Sequence, residues 1–352
     1  MNKNENSTRY YSDMHEKSVC KALNAGRLGS RKTVNVPGLV LNLPALSEKD
    51  INDLTNGVKV GFDYIFASFV RRADDVIQMR KLLDDNGGQA VKIIAKIESQ
   101  EGIDNFEEIL ELADGIMVAR GDMAVEVPFE QVPVIQKRFI KRCNEVGKPI
   151  ITATQMLESM TSNPRPTRAE VSDVANAVYD RTGAIMLSGE SAMGKHPALC
   201  VNTMDKISKT VESDLHYWKR FANTELAMDR NDIKRHVAYI ATATAKNLNA
   251  DAIVVYTNQG NSARRLAGMG PGCPILAITD NEKTFNQLGL VWNVTPVLVT
   301  GKASIDETVE AGIEEFKKAD ILEKGDIVVI SGGAKILNSN SENQVIDGVL
   351  KI

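Results

Sequence analysis

The sequence VKIIAKIESQEGIDNFEEILELADGIMVA, residues 91–119, decides the fold, because it holds two apolar runs with an amphipathic stretch between them. The runs Val91–Ile97 and Gly115–Ala119 are short and have little polar alternation, which is typical of strands buried on both faces. The stretch between them has helical periodicity and puts four apolar side chains on one face: Ile103, Phe106, Ile109 and Leu110. The pattern predicts a strand–helix–strand unit with parallel strands.

The same rhythm continues on both sides of this unit. Further strands are predicted at Tyr64–Phe69, Pro149–Ala153 and Ala184–Ser188, and further helices at Val132–Cys143 and Val171–Tyr179. Polar residues follow each strand, which is typical of a TIM (β/α)8 barrel and equally of a doubly wound sheet. About five strands fall short of the eight that a closed barrel needs, so the α/β pattern predicts a partial barrel or a different parallel sheet.

A second α/β pattern begins after residue 209. A charged helical stretch is predicted over Thr210–Asp229, and strands and helices alternate again after it: helix Ile233–Leu248, strand Ala252–Tyr256, helix Ser262–Met269, strand Ile275–Ile278, strand Val294–Val299, helix Ile305–Ala319 and strand Ile327–Ile330. We therefore predict one domain over residues 34–209 and a separate α/β domain over residues 210–352. Ser18–Leu23 is a candidate strand, and the polar stretch Lys335–Asn343 is predicted to be loose.

Composition and charge exclude several classes of function. The chain has 352 residues, 43% hydrophobic and 25% charged, which is enough apolar content for a sizeable core. A formal net charge of −4 gives no electrostatic reason to expect nucleic acid or an anionic membrane as partner. No apolar run is long enough to span a bilayer, and Met1–Ser12 is too polar for a secretory signal. Four scattered cysteines without metal-ligand spacing fit a cytoplasmic protein with free thiols: Cys20, Cys143, Cys200 and Cys273.

The clearest candidate site lies where the strands of the first domain end. Lys96 and Glu98 are two residues apart at the end of a strand, so their side chains point to the same face. A lysine beside a carboxylate suits a divalent cation together with an anionic group. The alternative is an ordinary surface ion pair.

Two neighbouring strand ends carry further candidates. Asp122, in Arg120-Gly-Asp122, could share a metal with Glu98, or could simply cap a short helix. Thr154 follows the next strand and could relay a proton, although such a threonine more often satisfies a nearby backbone group. The loop Asn163–Arg168 holds two arginines that suit a phosphate, or is merely exposed.

Taken together, these segments resemble the pyruvate kinase family. The matching pieces occur in the family's order and are specific as a set: Val34–Gly38, Phe66–Phe69, Lys96–Glu98, Val118–Asp122, Ala153–Met160, Pro164–Glu170, Ser172–Val178 and Leu187–Glu190. The resemblance implies phosphoryl transfer from phosphoenolpyruvate to ADP, giving pyruvate and ATP in the last step of glycolysis. It covers nearly the whole chain, more loosely in the C-terminal third.

The resemblance also implies a role for each matching residue. Lys96 would stabilise the phosphoryl group in transfer, while Glu98 and Asp122 would hold Mg²⁺. The N–H groups of Gly121 and Asp122 would seat the substrate carboxylate, and Thr154 would lie near the methylene carbon that is protonated. K⁺ is implied as well, but the family's usual ligands for it have no counterpart in this sequence.

The resemblance further implies a barrel with a small β domain inserted after its third strand. Residues 1–33 would be the tail of that domain, and the first three barrel strands would be absent, along with most of the lid over the nucleotide. Two alternatives to an active kinase therefore stay open. One is an inactive fragment that keeps an oligomerising or effector-binding C-terminal domain. The other is a lyase of phosphoenolpyruvate or enolate chemistry, against which Ala153–Met160 and Pro164–Glu170 argue.

The second domain carries a possible effector site. The loop after the strand Ala252–Tyr256 precedes a helix, which is the setting of a phosphate-binding loop. Four residues would form it: Thr257, Asn258, Gly260 and Ser262. The resemblance implies a sugar-phosphate or nucleotide effector here and a homotetramer, whereas an ordinary strand-to-helix turn is the alternative. Ser331-Gly-Gly333, after the last strand, is a weaker candidate of the same kind.

Overall fold

Two five-stranded sheets organise the chain. The computed structural model describes residues 25–26, 29–30, 44–223, 231–331 and 348–352. The described residues from 44 onward belong to one compact unit, Pro37–Ile352, which holds both sheets. Three matched or predicted segments lie outside the described residues: Ser18–Leu23, Val34–Gly38 and Lys335–Asn343.

The first sheet is parallel, and its strands lie side by side in chain order. The strands are β1 Tyr64–Ala67, β2 Lys92–Ile97, β3 Gly115–Ala119, β4 Ile150–Ala153 and β5 Ala184–Met186. Neighbours are in parallel register, as in Ile94 opposite Gly115 and Ile116 opposite Ile150. An unbroken order without reversal is that of consecutive barrel strands rather than of a doubly wound sheet. The predicted five βα units of a partial barrel are confirmed.

Helices accompany the first sheet. They are α1 Glu48–Val60, α2 Ala73–Asp85, α3 Gln100–Asp104, α4 Phe106–Leu112, α5 Arg120–Glu126, α6 Val132–Val146, α7 Arg168–Tyr179, α8 Gly189–Ala192 and α9 Pro197–Asp214, with 3₁₀ turns at Phe129–Gln131 and Glu158–Thr161. The core between helices and sheet is apolar, and it includes the stacked rings of Phe106 and Phe139. Packing of this kind supplies most of the stability of short helices.

The single helix predicted over Ile103–Leu112 is two short helices. Asn105 leaves helical geometry between α3 and α4, with φ −93° and ψ 15°. Its side chain donates a hydrogen bond to the carbonyl of Arg71 at 3.0 Å, which offers this residue an alternative to the helix. The four apolar side chains predicted to share one face are all buried despite the break.

The second sheet is mixed. Its strands are β6 Ala252–Tyr256, β7 Ile275–Thr279, β8 Val294–Leu298, β9 Ile327–Ser331 and β10 Gly348–Lys351, in the order β10-β9-β6-β7-β8. Only β10 is antiparallel to its neighbour, β9. The helices α10 Tyr217–Asn223, α11 Ile233–Leu248, α12 Asn261–Met269, α13 Glu282–Leu288 and α14 Ile305–Lys318 complete the described elements. The separate α/β region predicted after the partial barrel is confirmed.

The predicted helical stretch Thr210–Asp229 is wrong in its start. Helix α9 runs without interruption across position 210, because Cys200, Met204 and Val211 are buried and the helix packs against α7. A second helix, α10, follows after a break at 215–216, and residues 224–230 lie outside the described part. The predicted domain boundary at 209/210 therefore falls inside a helix.

Candidate functional site

The carboxyl ends of β2, β3 and β4 bring four of the predicted site residues to one edge of the first sheet. Lys96 lies within β2 and Glu98 follows it, Asp122 lies in α5 directly after β3, and Thr154 follows β4. Because parallel strands end at the same edge, these side chains come from adjacent positions in space. The edge is the one at which barrels of this type bind ligands.

Glu98 is the most constrained residue of the edge. Its side chain is fully buried, with Oε1 lying 2.9 Å from Lys96 Nζ and Oε2 accepting the backbone N–H of Phe69 at 2.5 Å. Burial raises the pKa of Glu98, against the opposing effects of Lys96 and the Phe69 N–H, and the nearby charge of Asp122 adds to the rise. The Lys96 ammonium group is the one charged contact of Oε1 among the described residues, and this oxygen accepts no backbone N–H.

This buried oxygen fits a divalent cation. A carboxylate oxygen has more than one lone pair, and Oε1 of Glu98 uses them only on the Lys96 ammonium group, so it can also bind a hard cation. Mg²⁺ usually takes one or two protein carboxylates and completes its shell with water and substrate oxygens. Within the described residues no group of three or more acidic, histidine or cysteine side chains is arranged to hold a metal. Glu98 and the exposed Asp122 could therefore supply at most two carboxylates, as is usual for Mg²⁺.

Lys96 is held at the same edge and is partly exposed. Besides Glu98, its ammonium group donates to the hydroxyl of Ser68, 2.7 Å away, in the segment that follows β1. Phe69 has a positive φ of 55°, which turns its N–H toward Glu98. Ser68 and Phe69 were matched only as part of a motif, and their contacts with Lys96 and Glu98 had no separate signal in the sequence.

Thr154 and Gly121 touch directly. The hydroxyl oxygen of Thr154 accepts the N–H of Gly121 at 2.7 Å and donates to the carbonyl of Ala153 at 2.6 Å. The Gly121 N–H would therefore have to exchange this partner before it could bind a substrate carboxylate. Thr154 and the following Gln155 both have positive φ angles, 71° and 55°, which non-glycine residues seldom adopt.

Two buried charged residues, Arg120 and Glu190, lie beside the strand ends, and the sequence assigns neither of them a role. Arg120 is buried and donates to the carbonyls of Thr154 at 2.6 Å and Ala153 at 3.3 Å, and its other nitrogen pairs with Asp173 at 2.7 Å. Glu190, fully buried, accepts the N–H groups of Leu157 and Ser188. In the sequence, Arg120 and Glu190 belong to the matched segments Val118–Asp122 and Leu187–Glu190, but neither residue is assigned a role of its own.

The predicted effector loop lies at the carboxyl end of β6. Thr257 is buried and its N–H donates to Ile278, Asn258 donates to Asp280, and Gly260 begins α12 with φ 79°. The strand order reverses between β6 and β9, and such a switch point is where open α/β sheets bind ligands. Ser262 lies in the first turn of α12. The effector site remains a prediction.

The fold and this edge define an α/β protein with a partial barrel that carries acidic, basic and hydroxyl side chains at the carboxyl ends of adjacent strands. Two family descriptions match the chain: "Pyruvate kinase, barrel domain" over residues 9–201 and "Pyruvate kinase, alpha/beta domain" over residues 235–346. The chain belongs to the pyruvate kinase family.

Curated relatives agree with this assignment. The chain is 46% identical to a pyruvate kinase of Sporosarcina psychrophila over 91% of its own length, and 45% identical to that of Clostridium acetobutylicum over 93%. A pyruvate kinase of Bacillus licheniformis is 47% identical over 90% of the chain. These matches span 55%, 69% and 54% of the respective relatives, so the chain covers little more than half the length of two of them. No helix among the described residues has the length and apolarity to cross a bilayer.

Proposed function

We propose that this chain transfers the phosphoryl group of phosphoenolpyruvate to ADP, with formation of pyruvate and ATP. The observation that carries the proposal is the buried carboxylate of Glu98, which is paired with Lys96 at 2.9 Å and lies near the charge of Asp122. A lysine and two carboxylates at one edge suit a reaction in which an anionic phosphoryl group passes from the enol oxygen of phosphoenolpyruvate to the terminal phosphate of ADP. Such reactions depend mainly on positioning and electrostatic stabilisation.

Each residue then has a defined task. Lys96 binds the phosphoryl group in transfer, and its contact with Ser68 orients the ammonium group. Glu98 and Asp122 hold Mg²⁺, which when bound polarises the enolate and carboxylate oxygens of the substrate. The Thr154 hydroxyl, which accepts the N–H of Gly121, orients the water that protonates the methylene carbon, and bulk solvent replaces the proton. We assign no described residue to K⁺. The family resemblance implies this ion, so the pyruvate-formation assay described below contains it.

Lys96→Met tests the proposal. The variant removes the cation from the phosphoryl position, and we expect pyruvate formation from phosphoenolpyruvate, ADP, Mg²⁺ and K⁺ to fall by a factor of about 10²–10³ or more. Lys92→Met is the matched control, because Lys92 lies on the same strand but pairs with Asp114 at its other end, 2.9 Å away. This control should keep normal turnover.

Metal binding separates the roles of the two charged residues. Mn²⁺ affinity, followed by electron paramagnetic resonance, should fall in Glu98→Gln and persist in Lys96→Met. Normal turnover by Lys96→Met would contradict the assigned role. A folded chain that forms no pyruvate would contradict the proposed activity and favour the inactive alternative with a functional C-terminal domain.

The remaining assignments follow from family membership and are proposed with it. ADP and ATP would be the nucleotide partners, the protein would act in the cytoplasm, and it would assemble as a homotetramer. A sugar phosphate or nucleotide would bind at Thr257, Asn258, Gly260 and Ser262. The exposed side chain of Asn258 and the start of α12 support an anion at this loop.

A further inference from the structure

Glu190 is a buried carboxylate without a cation. Its side chain is fully buried, and none of the ion pairs among the described residues includes it. Oε1 accepts the N–H of Leu157 at 3.0 Å, and Oε2 accepts the N–H of Ser188 at 2.8 Å. Burying a charge in this way is unfavourable unless hydrogen bonds satisfy it, and here two backbone groups do so. A neutral side chain would fill the same space without the free-energy cost of burying a charge. The presence of a carboxylate here therefore needs an explanation.

The turn at residues 154–157, to which Glu190 is hydrogen-bonded, explains the buried carboxylate. Thr154 and Gln155 are consecutive non-glycine residues with positive φ, a conformation that persists only where the surroundings over-determine it. Arg120 fixes the start of this turn by donating hydrogen bonds to the carbonyls of Ala153 and Thr154. Glu190 fixes the end of the turn by accepting a hydrogen bond from the N–H of Leu157. The Leu157 side chain is buried in an apolar cluster with Met156, Met160 and Cys200.

The turn fixes the hydroxyl of Thr154. With the backbone held at both ends, the Thr154 oxygen stays 2.7 Å from the Gly121 nitrogen at the edge of the sheet. If the Leu157 end were released, the left-handed residues would relax and the hydroxyl would move away from Gly121. We propose that Glu190 is a positioning residue that acts through Leu157 to place Thr154 for proton transfer. The functional half of this statement rests on the proposed function, whereas the geometric half does not.

Glu190→Gln tests the positioning role. The amide can accept only one of the two N–H groups and turns its own N–H groups toward the other. Glu170→Gln is the matched control, because Glu170 also accepts backbone N–H groups nearby, those of Ser159 and Thr167, but does not touch Leu157. The first readout is hydrogen–deuterium exchange at the amides of Leu157 and Gly121. The second is exchange of the methyl protons of pyruvate with solvent, compared with Mn²⁺ affinity.

We expect Glu190→Gln to speed exchange of the Leu157 and Gly121 amides by about tenfold or more, as loss of a hydrogen bond to a charged group implies. Pyruvate proton exchange should fall by a similar factor with Mn²⁺ affinity unchanged, and Glu170→Gln should alter neither. Unchanged Leu157 and Gly121 amides, or an equal fall in proton exchange in both variants, would overturn the proposal. If Glu190→Gln does not fold, Glu190→Asp, which keeps the charge but shortens the reach, replaces it with the same expectations.

The two proposals fail in different ways. A wild-type chain that exchanges no pyruvate protons and forms no pyruvate would contradict the proposed function. The amide measurement would still decide whether Glu190 holds the turn, because it needs neither substrate nor turnover.

Discussion

Two fully buried carboxylates, Glu98 and Glu190, show how differently a charge is accommodated within one sheet edge. Glu190 has both oxygens satisfied by backbone N–H groups, which makes it part of the framework. Glu98 has one oxygen bound by the backbone N–H of Phe69 and the other paired with the side chain of Lys96. A carboxylate held only by backbone groups orders its neighbours, whereas one paired with a partly exposed lysine side chain can also bind a ligand.

The cysteines give a prediction at the same scale. Cys143, Cys200 and Cys273 are free and buried. Burial raises the pKa of all three thiols, that of Cys273 to about 12, and the charge of Glu190 contributes at Cys200. We expect iodoacetamide at pH 8 to label none of these three in the folded chain and all of them in urea, read by peptide mass spectrometry, because the thiolate is the reactive form. Rapid native labelling of Cys143 would show that its surroundings open.

At the residue scale the sequence predicts some contacts and misses others for a physical reason. The pairing of Lys96 with Glu98 follows from strand geometry, since alternate residues share a face. The position of Gly121 and Thr154 at adjacent strand ends also follows from the sequence, but their hydrogen bond does not, because it depends on the backbone of Thr154. The hydrogen bonds of Arg120 and Glu190 to the turn cannot be predicted from the sequence, because they depend on positive φ angles at Thr154 and Gln155. Threonine and glutamine seldom adopt that backbone conformation.

At the scale of elements, helix α7 shows how a single side chain serves two segments. Its N-cap Thr167 and Glu170 form a capping box, and the Glu170 carboxylate also accepts the N–H and hydroxyl of Ser159. Burial alone would raise the pKa of Glu170, but the hydrogen bonds from Ser159 and Thr167 outweigh it and lower the pKa. The loop after β4 is thereby tied to the start of α7.

This arrangement predicts a pH-dependent effect of Glu170→Gln. Because the folded-state pKa lies below the unfolded value, the ionised group stabilises the fold above the unfolded pKa, and that stability is lost as pH falls through the folded pKa. We expect the variant to lower the free energy of unfolding by about 1 kcal/mol at pH 7, with solvent screening keeping the effect small. The difference should shrink toward zero in acid, as measured by urea unfolding across pH; a pH-independent difference would contradict the linkage.

The elements themselves divide into those the sequence predicts and those it does not. The parallel strands of both sheets were predicted, because their short apolar runs are buried, and so were the helices α6, α7, α11, α12 and α14. Helices α1, α2 and α9 were not predicted, although α9 is the longest, with 18 residues. Helix α13, EKTFNQL, has only two large apolar side chains, and β10 is a four-residue edge strand that is mostly exposed, so neither has a clear periodic pattern. The break at Asn105 was missed because its cause is a tertiary hydrogen bond to Arg71.

At the scale of the whole molecule, Arg181 connects the first sheet to helix α12, which packs on the second sheet. It precedes β5 with a positive φ of 67°, and its guanidinium donates to the carbonyls of Gly268 at 3.0 Å and Ala267 at 3.4 Å, at the C-terminal end of α12. Desolvation lowers the pKa of Arg181 to about 10, so the group stays charged at neutral pH. A cation at a helix C-terminus is favourable, and this helix begins at the predicted effector loop.

Gly270 leaves room for this arginine and supplies a test. A Cβ at Gly270 would lie 2.4 Å from Arg181 Cζ, and the residue has a φ of 67°. We expect Gly270→Ala to lower the free energy of unfolding by about 2–3 kcal/mol, through overpacking as well as backbone strain. Gly301→Ala is the control, because its φ is 74° but no atom lies within 4 Å, so it should cost only the backbone part, about 1 kcal/mol.

A double-mutant cycle isolates the contact. In Arg181→Ala combined with Gly270→Ala, the clash is absent, so the two losses in urea unfolding should sum to at least about 1 kcal/mol more than the double variant shows. Additive losses would mean that the arginine moves aside freely and that the close approach has no energetic weight.

The strand orders of the two sheets also imply an order of events during folding. In the first sheet each strand pairs with the next one along the chain, so its contacts close short loops and form as the polypeptide leaves the ribosome. In the second sheet β6 must wait for β9, some distance further along, to occupy its free side. Until β9 is synthesised, the centre of that sheet has an open edge, and we expect the nascent chain to be most vulnerable to misassociation there rather than between the strands of the first sheet.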